Sequence, residues 1–91
     1  MKIHWTGRVL SDLVRLREFP TPVNPAATAR VARSLAAAPM RLAVHPRLGE
    51  KLEEFEPREV RRILVGNYEM RYEVRGDTLF IVRLWHSGEH R

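Results

Sequence analysis

Ile3 and Trp5 fall on one side of an extended Lys2-to-Trp5 segment, with Lys2 and His4 on the other, the period-two pattern of a short strand. From Thr6 the period lengthens. Val9, Leu10, Leu13, Val14 and Leu16 recur at three- and four-residue spacings opposite Arg8, Asp12, Arg15 and Glu18, which predicts an amphipathic helix with Thr6 as its N-cap. Pro20 and Pro22 end that helix, because proline lacks the backbone donor and disfavours helical geometry before it. Asn24-Pro25 then starts a second helix, whose buried stripe runs Val31, Leu35, Ala38 and Leu42. Its many alanines favour helix and would let the first helix approach closely. Pro39 interrupts the stripe and predicts either a kink or a break before a last turn ending at Val44.

The last third of the chain changes character. After the His45-to-Gly49 turn and an acidic connector from Glu50 to Pro57, with Leu52 and Phe55 laid against the core, Val60 to Val65 reads as a strand. Gly66-Asn67 is a two-residue hairpin signal. In the return strand Tyr68, Met70, Tyr72 and Val74 alternate with Glu69, Arg71 and Glu73, giving one core face and one wet face. Arg75-Gly76-Asp77 turns the chain again, and Thr78 to Trp85 is apolar on both faces until Arg83, as expected of a central strand. The predicted fold is α+β, β-α-α-β-β-β, with two N-terminal helices packed on one face of a small, mostly antiparallel sheet. Residues 1–91 form a single domain.

Composition narrows the function classes. The 91 residues contain no cysteine, which removes disulfides, thiolate nucleophiles and cysteine-ligated zinc and suits a reducing cytoplasm. No apolar run approaches the ~20 residues of a bilayer span, and no signal peptide is evident, so a cytoplasmic protein without membrane contact is expected. Sixteen basic against eleven acidic side chains leave a net charge of +5, and the first 48 residues carry all of the surplus. Nearly all the cations are arginine, whose planar fork grips carboxylates and phosphates bidentately. An anionic partner is implied, either nucleic acid or an acidic protein segment, and Arg8, Arg15, Arg30, Arg33 and Arg41, all on the predicted helices, are the candidates for contact with an acidic segment. The run Glu50, Glu53, Glu54, Glu56 and Glu59 reads as a solvated connector that pairs with these arginines.

If both helices cover one sheet face, the other is exposed, and Arg62, Arg71 and Arg83 on three successive strands can form a cationic patch there. By strict alternation Arg83 shares its face with Ile81 and Trp85, while Phe80, Val82, Leu84 and His86 occupy the other. An arginine inside an apolar strand either pairs with a carboxylate such as Glu69 or Glu73 or lines a cleft, since burying it unpaired costs several kcal/mol. The chain ends in His86-Ser87-Gly88-Glu89-His90-Arg91, where an imidazole could serve as general acid or base. His86 and His90 have Gly88 between them and no third ligand, and no Gly-rich phosphate loop or nucleophile elbow is present, so neither metal nor cofactor is expected.

The element order, Asn24-Pro25-Ala26-Ala27, Pro46-Arg47-Leu48-Gly49, the hairpin from Val60 to Val74 and Ile81-Val82-Arg83-Leu84-Trp85-His86 together resemble the RelE/ParE superfamily of bacterial toxins. The likeness spans nearly the whole chain, and its C-terminal third is the most specific part. It implies the toxin of a type II toxin–antitoxin, plasmid-stabilisation-like module, held inactive by a cognate antitoxin that alone contacts operator DNA. The superfamily divides by target. RelE-like members cleave messenger RNA on the ribosome by 2′-hydroxyl attack, and for that activity the resemblance points to Arg62, Arg83 and either His86 or His90. ParE-like members poison DNA gyrase. The chain has only Lys51 on its connector and no tyrosine after Tyr72, which departs from the RNase pattern and lies closer to the ParE side. Target-contacting candidates under either activity are Arg62, Arg71, Arg83, His86 and Arg91. A third expectation is a toxin remnant that only binds its antitoxin and co-represses an operon.

Overall fold

The computed structural model describes residues 1–18 and 25–88. Asn24, the Pro20/Pro22 loop, His90 and Arg91 lie outside them. The elements are β1 (Lys2–Trp5), α1 (Gly7–Glu18), α2 (Pro25–Val44), β2 (Glu50–Lys51), β3 (Glu59–Val65), β4 (Tyr68–Arg75) and β5 (Thr78–His86), with a 3-10 turn at Glu53–Phe55. They form an α+β fold with one five-stranded sheet in the order β1-β5-β4-β3-β2. β1 runs parallel to β5 and the other neighbours are antiparallel. The sheet thus has one strand more than the sequence predicts. Glu50–Lys51 pairs with Arg61 and Arg62 inside what reads as a connector, too short for any periodicity to register.

Thr6 caps α1 as expected: its hydroxyl accepts the Val9 N–H at 3.2 Å and donates to the Ile81 carbonyl at 2.8 Å, so one side chain starts the helix and ties it to β5. The face of α1 differs from the one predicted. Val9 and Leu16 are buried, but Leu10 and Val14 are 50% and 53% exposed, while Asp12, assigned to the polar side, is 2% exposed. Asp12 lies three residues after Val9 and four before Leu16, at the spacing of the buried stripe. α2 follows its predicted stripe through Leu35, Ala38 and Leu42, and it continues through Pro39 without a break. Ala29, Ala32, Ala36 and Ala37 are exposed, so alanine supports helix formation here and does not serve close approach of α1.

α2 crosses β1, β5 and β3, whereas α1 runs along β5. The core between them combines Val9, Leu16, Leu35, Ala38 and Leu42 with Val65, Met70, Tyr72, Leu79, Ile81 and Leu84. Both helices thus bury residues against one face of the sheet, and α1 in addition covers the edge of β5. β1 pairs β5 only through Ile81, and beyond it α1 completes the edge. Asp12 accepts the Leu84 N–H at 2.9 Å and Arg15 donates to the Leu84 carbonyl at 2.9 Å. Two helix side chains thus satisfy backbone groups that a missing strand would leave open.

The turn before β2 is locked by Tyr72, fully buried, whose hydroxyl donates to the Pro46 carbonyl (2.8 Å) and accepts the Gly49 N–H (2.9 Å). A Cβ on Gly49 would lie 2.6 Å from the Arg62 carbonyl oxygen, so only glycine fits there. Leu52 is buried beside Val60, apart from the main core, and Phe55 lies over Arg71 on the sheet's other face, not against the core as the sequence suggests.

Candidate functional site

Strand register sets the site. Arg62 is opposite Arg71 on β4, and Arg71 is opposite Arg83 on β5, so the three guanidinium-bearing positions form one row across three strands. A bulge makes this possible. Between the Arg71–Arg83 and Tyr72–Ile81 pairs β5 carries one extra residue, Val82, which reverses the alternation. Ile81 and Leu84 both face the core, and Arg83 joins Trp85 on the outer face. His86 goes the other way: its ring lies edge-on to Tyr68, which packs against the core, with centroids 5.0 Å apart. The structure therefore brings Arg62, Arg71 and Arg83 together and puts His86 across the sheet from them. Strict alternation pairs Arg83 with Ile81, and the bulge corrects that expectation.

Each arginine of the row is held. Arg83 donates to Asp12 through Nε at 2.8 Å and a second nitrogen at 3.3 Å, and its guanidinium lies 4.6 Å from the Trp85 ring centre. Its carboxylate partner is thus a helix residue 71 positions away, neither Glu69 nor Glu73. Arg71 stacks on Trp85 at 4.6 Å and Phe55 at 5.3 Å and reaches Glu69 at 3.4 Å. Its buried Nε has no acceptor among the described residues. Arg62 bridges Glu50 at 3.1 Å and Glu69 at 3.3 Å. Glu69 and Glu73, expected on a wet face, are 5% and 3% exposed. Arg58 clasps Glu73 bidentately at 2.7 and 3.3 Å, with Arg75 adding a contact at 3.3 Å.

These contacts set the charge states. Burial pushes the Asp12 carboxyl up, but hydrogen bonds from Arg83, the Leu84 N–H and Arg15 outweigh it and hold the group below its ordinary value. The Arg58 hydrogen bond holds Glu73 low against its burial, and Glu50 and then Glu69 raise Arg62. The connector carboxylates face the sheet more than the helices: Glu50 pairs with Arg62, Glu56 with Lys51 and Glu59 with Arg61, and of the first-half arginines Arg47 meets Glu59 at 3.0 Å.

Two concavities flank this framework. On the outer face a cleft of about 360 Å³ is lined by Arg8, Arg58, Arg71 and Arg83 with Phe55 and Val60. On the helix side a groove of about 700 Å³ runs between α2 and the β3–β4 hairpin, with Arg30, Val31 and Arg41 on one wall and Leu64, Val65 and Tyr68 on the other. The helical arginines thus divide. Arg30 and Arg41 line the groove, and Arg33 is exposed on α2. Arg15 is an edge anchor, and Arg8 belongs to the cleft. Sequence reasoning missed Asp12, whose buried-stripe spacing was the available signal, and Arg58 and Phe55, for which no local pattern existed. No group of three His, Asp or Glu side chains among the described residues could hold a metal ion.

A five-stranded mixed sheet carrying an ion-paired arginine row on one face, with two helices packed on the other, defines a small basic α+β protein. Comparison gives it a family. Residues 3–91 match the model of the ParE toxin of the type II toxin–antitoxin system parDE, and the chain belongs to that family. It is also 34% identical over 87 residues to Toxin RelE2 of Caulobacter vibrioides, covering 96% of both chains. The protein is therefore a RelE/ParE-superfamily toxin of a type II toxin–antitoxin system, a class that implies an antitoxin partner. No helix among the described residues is long and apolar enough to cross a membrane.

Proposed function

We propose that this toxin acts by binding DNA gyrase and is neutralised by an antitoxin segment that docks in the groove between α2 and the β3–β4 hairpin. The observation that carries the gyrase reading is the match to the ParE model over residues 3–91. The position of His86 supports it, because the imidazole lies across the sheet from Arg62, Arg71 and Arg83 and not beside a phosphodiester that they would hold. Antitoxin docking in the groove is supported by its apolar walls beside Arg30 and Arg41, which suit an amphipathic acidic segment. A gyrase supercoiling assay with purified toxin tests the target. Inhibition that added antitoxin reverses is the expected result, and undisturbed supercoiling with growth arrest in cells would rule it out.

A second reading, a ribosome-dependent endoribonuclease, draws on the in-register row Arg62, Arg71 and Arg83, which could face a phosphodiester if its carboxylates yielded. Cleavage of ribosome-bound messenger that survives in wild type and disappears in Arg62→Ala would favour it. Normal growth on strong induction without antitoxin would leave only a co-repressor role.

A further inference from the structure

We propose that the outer cleft between α1 and the sheet is a binding site for the phosphate backbone of duplex DNA. Arg8, Arg58, Arg71 and Arg83 converge on it from α1, the loop before β3, β4 and β5, and no carboxylate lines it. The carboxylates that pair with the lining, Asp12, Glu69 and Glu73, are buried and shared: between them they also pair with Arg15, Arg62 and Arg75. Arg8 pairs with no carboxylate among the described residues, and the buried Nε of Arg71 has no acceptor among them. Four lining guanidinium groups are thus matched by three buried carboxylates, Asp12, Glu69 and Glu73. Planar guanidinium forks there match the geometry of a phosphate oxygen pair.

The engagement of the nearby rings argues for backbone over base. The aromatic rings nearby are already engaged, Phe55 by Arg71 and Trp85 by Arg71 and Arg83, so they offer no ready platform for the unpaired bases of a single strand. A site that grips phosphate without stacking reads the regular backbone of a duplex. The Asp12 pair keeps Arg83 fixed, and Arg8, exposed, supplies a contact that no carboxylate among the described residues competes for. The proposal stands apart from the choice of cellular target, because it is tested on toxin and oligonucleotide alone.

The test measures fluorescence anisotropy of a short labelled DNA duplex, and of a single-stranded RNA of equal length, against purified toxin across a salt series. Arg8→Glu is the informative variant, since Arg8 is exposed and its removal leaves no buried group unpaired. Lys2→Glu, 79% exposed at the start of β1, is the control with the same charge change. Duplex binding is expected to fall roughly tenfold or more in Arg8→Glu, the scale of a single charge-assisted hydrogen bond to phosphate. Its dependence of log K on log salt should become shallower by about 1. Lys2→Glu should change both far less. In labelled toxin, amide shifts on adding duplex should centre on Thr6, Arg8, Arg58 and Arg83. Equal weakening in the two variants, tighter binding of the RNA than of the duplex, or shifts centred on the α2 groove would each overturn the proposal.

Discussion

Asp12 is the residue on which the joint between α1 and β5 depends, and replacing it makes a quantitative prediction. Its carboxylate accepts from the Leu84 N–H, from two nitrogens of Arg83 and from Arg15, at a position 2% exposed. In Asp12→Ala the Leu84 N–H, on a fully buried residue, loses its acceptor, which costs about 1–3 kcal/mol. Arg83 and Arg15 lose the Asp12 carboxylate, but their side chains are 24% and 39% exposed and can turn toward water. The ~3–5 kcal/mol of a fully buried orphaned charge is therefore an upper bound. The expected drop is about 3 kcal/mol, a large share of the ~5–14 kcal/mol available to a domain of this size. Asp12→Asn keeps an oxygen for Leu84 and should be destabilised by about 2 kcal/mol.

Urea denaturation followed by circular dichroism measures both variants, with midpoints falling by roughly 2 M if the slope is near 1–1.5 kcal/mol per molar. The pH dependence gives a second check. Asp12 titrates lower folded than unfolded, so its charged interactions contribute fully above the unfolded value near about 4 and disappear as pH falls through the folded value. The gap between wild type and Asp12→Ala should therefore be widest near neutrality and narrow on acidification below about pH 4. A gap under about 0.5 kcal/mol, or one that does not change between about pH 6 and pH 2, would refute the reasoning.

Other perturbations test the remaining joints. Gly49→Ala drives a Cβ against the Arg62 carbonyl and the Tyr72 hydroxyl, and a drop of about 2 kcal/mol or more in thermal or urea unfolding is expected. Tyr72→Phe strands the Gly49 N–H and the Pro46 carbonyl and should lower stability by about 1–3 kcal/mol in the same assay. Glu73→Gln weakens the Arg58 clasp. Because Glu73 is held low in the fold, the wild type should lose this contribution only below the ordinary glutamate value near about 4.3, and the variant's acid limb should be flatter in a pH-dependent melt. Arg41→Glu, on the wall of the groove, should weaken antitoxin binding by roughly tenfold in calorimetry while leaving the melting temperature nearly unchanged.

Element type was legible wherever a local period governed it. The 3.6-residue stripe of α2 and the alternation of β4 concern residues within a few positions of one another, so Leu35, Ala38 and Leu42, like Met70 and Tyr72, appear in the core as read. The Gly66-Asn67 signal delivered its hairpin, with Gly66 at φ +59°. Where a residue's environment is set from afar, the same reading failed. Asp12 looked polar and exposed because its partners, Arg83 and Leu84, are 71 and 72 positions distant. Pro39 stayed within a continuous helix because burial against the core outweighs one missing backbone hydrogen bond.

The sequence by itself determined the order of helices and strands, the family resemblance of the C-terminal third and the presence of arginines on three successive strands. All of these are properties of composition and short-range spacing. Only the tertiary structure decided which faces those residues occupy. One bulge at Val82 turns Arg83 into the row with Arg62 and Arg71 and leaves His86 behind the sheet. The path of α1 along the unpaired edge of β5 brings Asp12 to Arg83 and Arg8 to the cleft. Parity along a strand fails at a single inserted residue, and a helix's neighbours depend on where the whole chain has folded. Neither is written in the spacing of side chains.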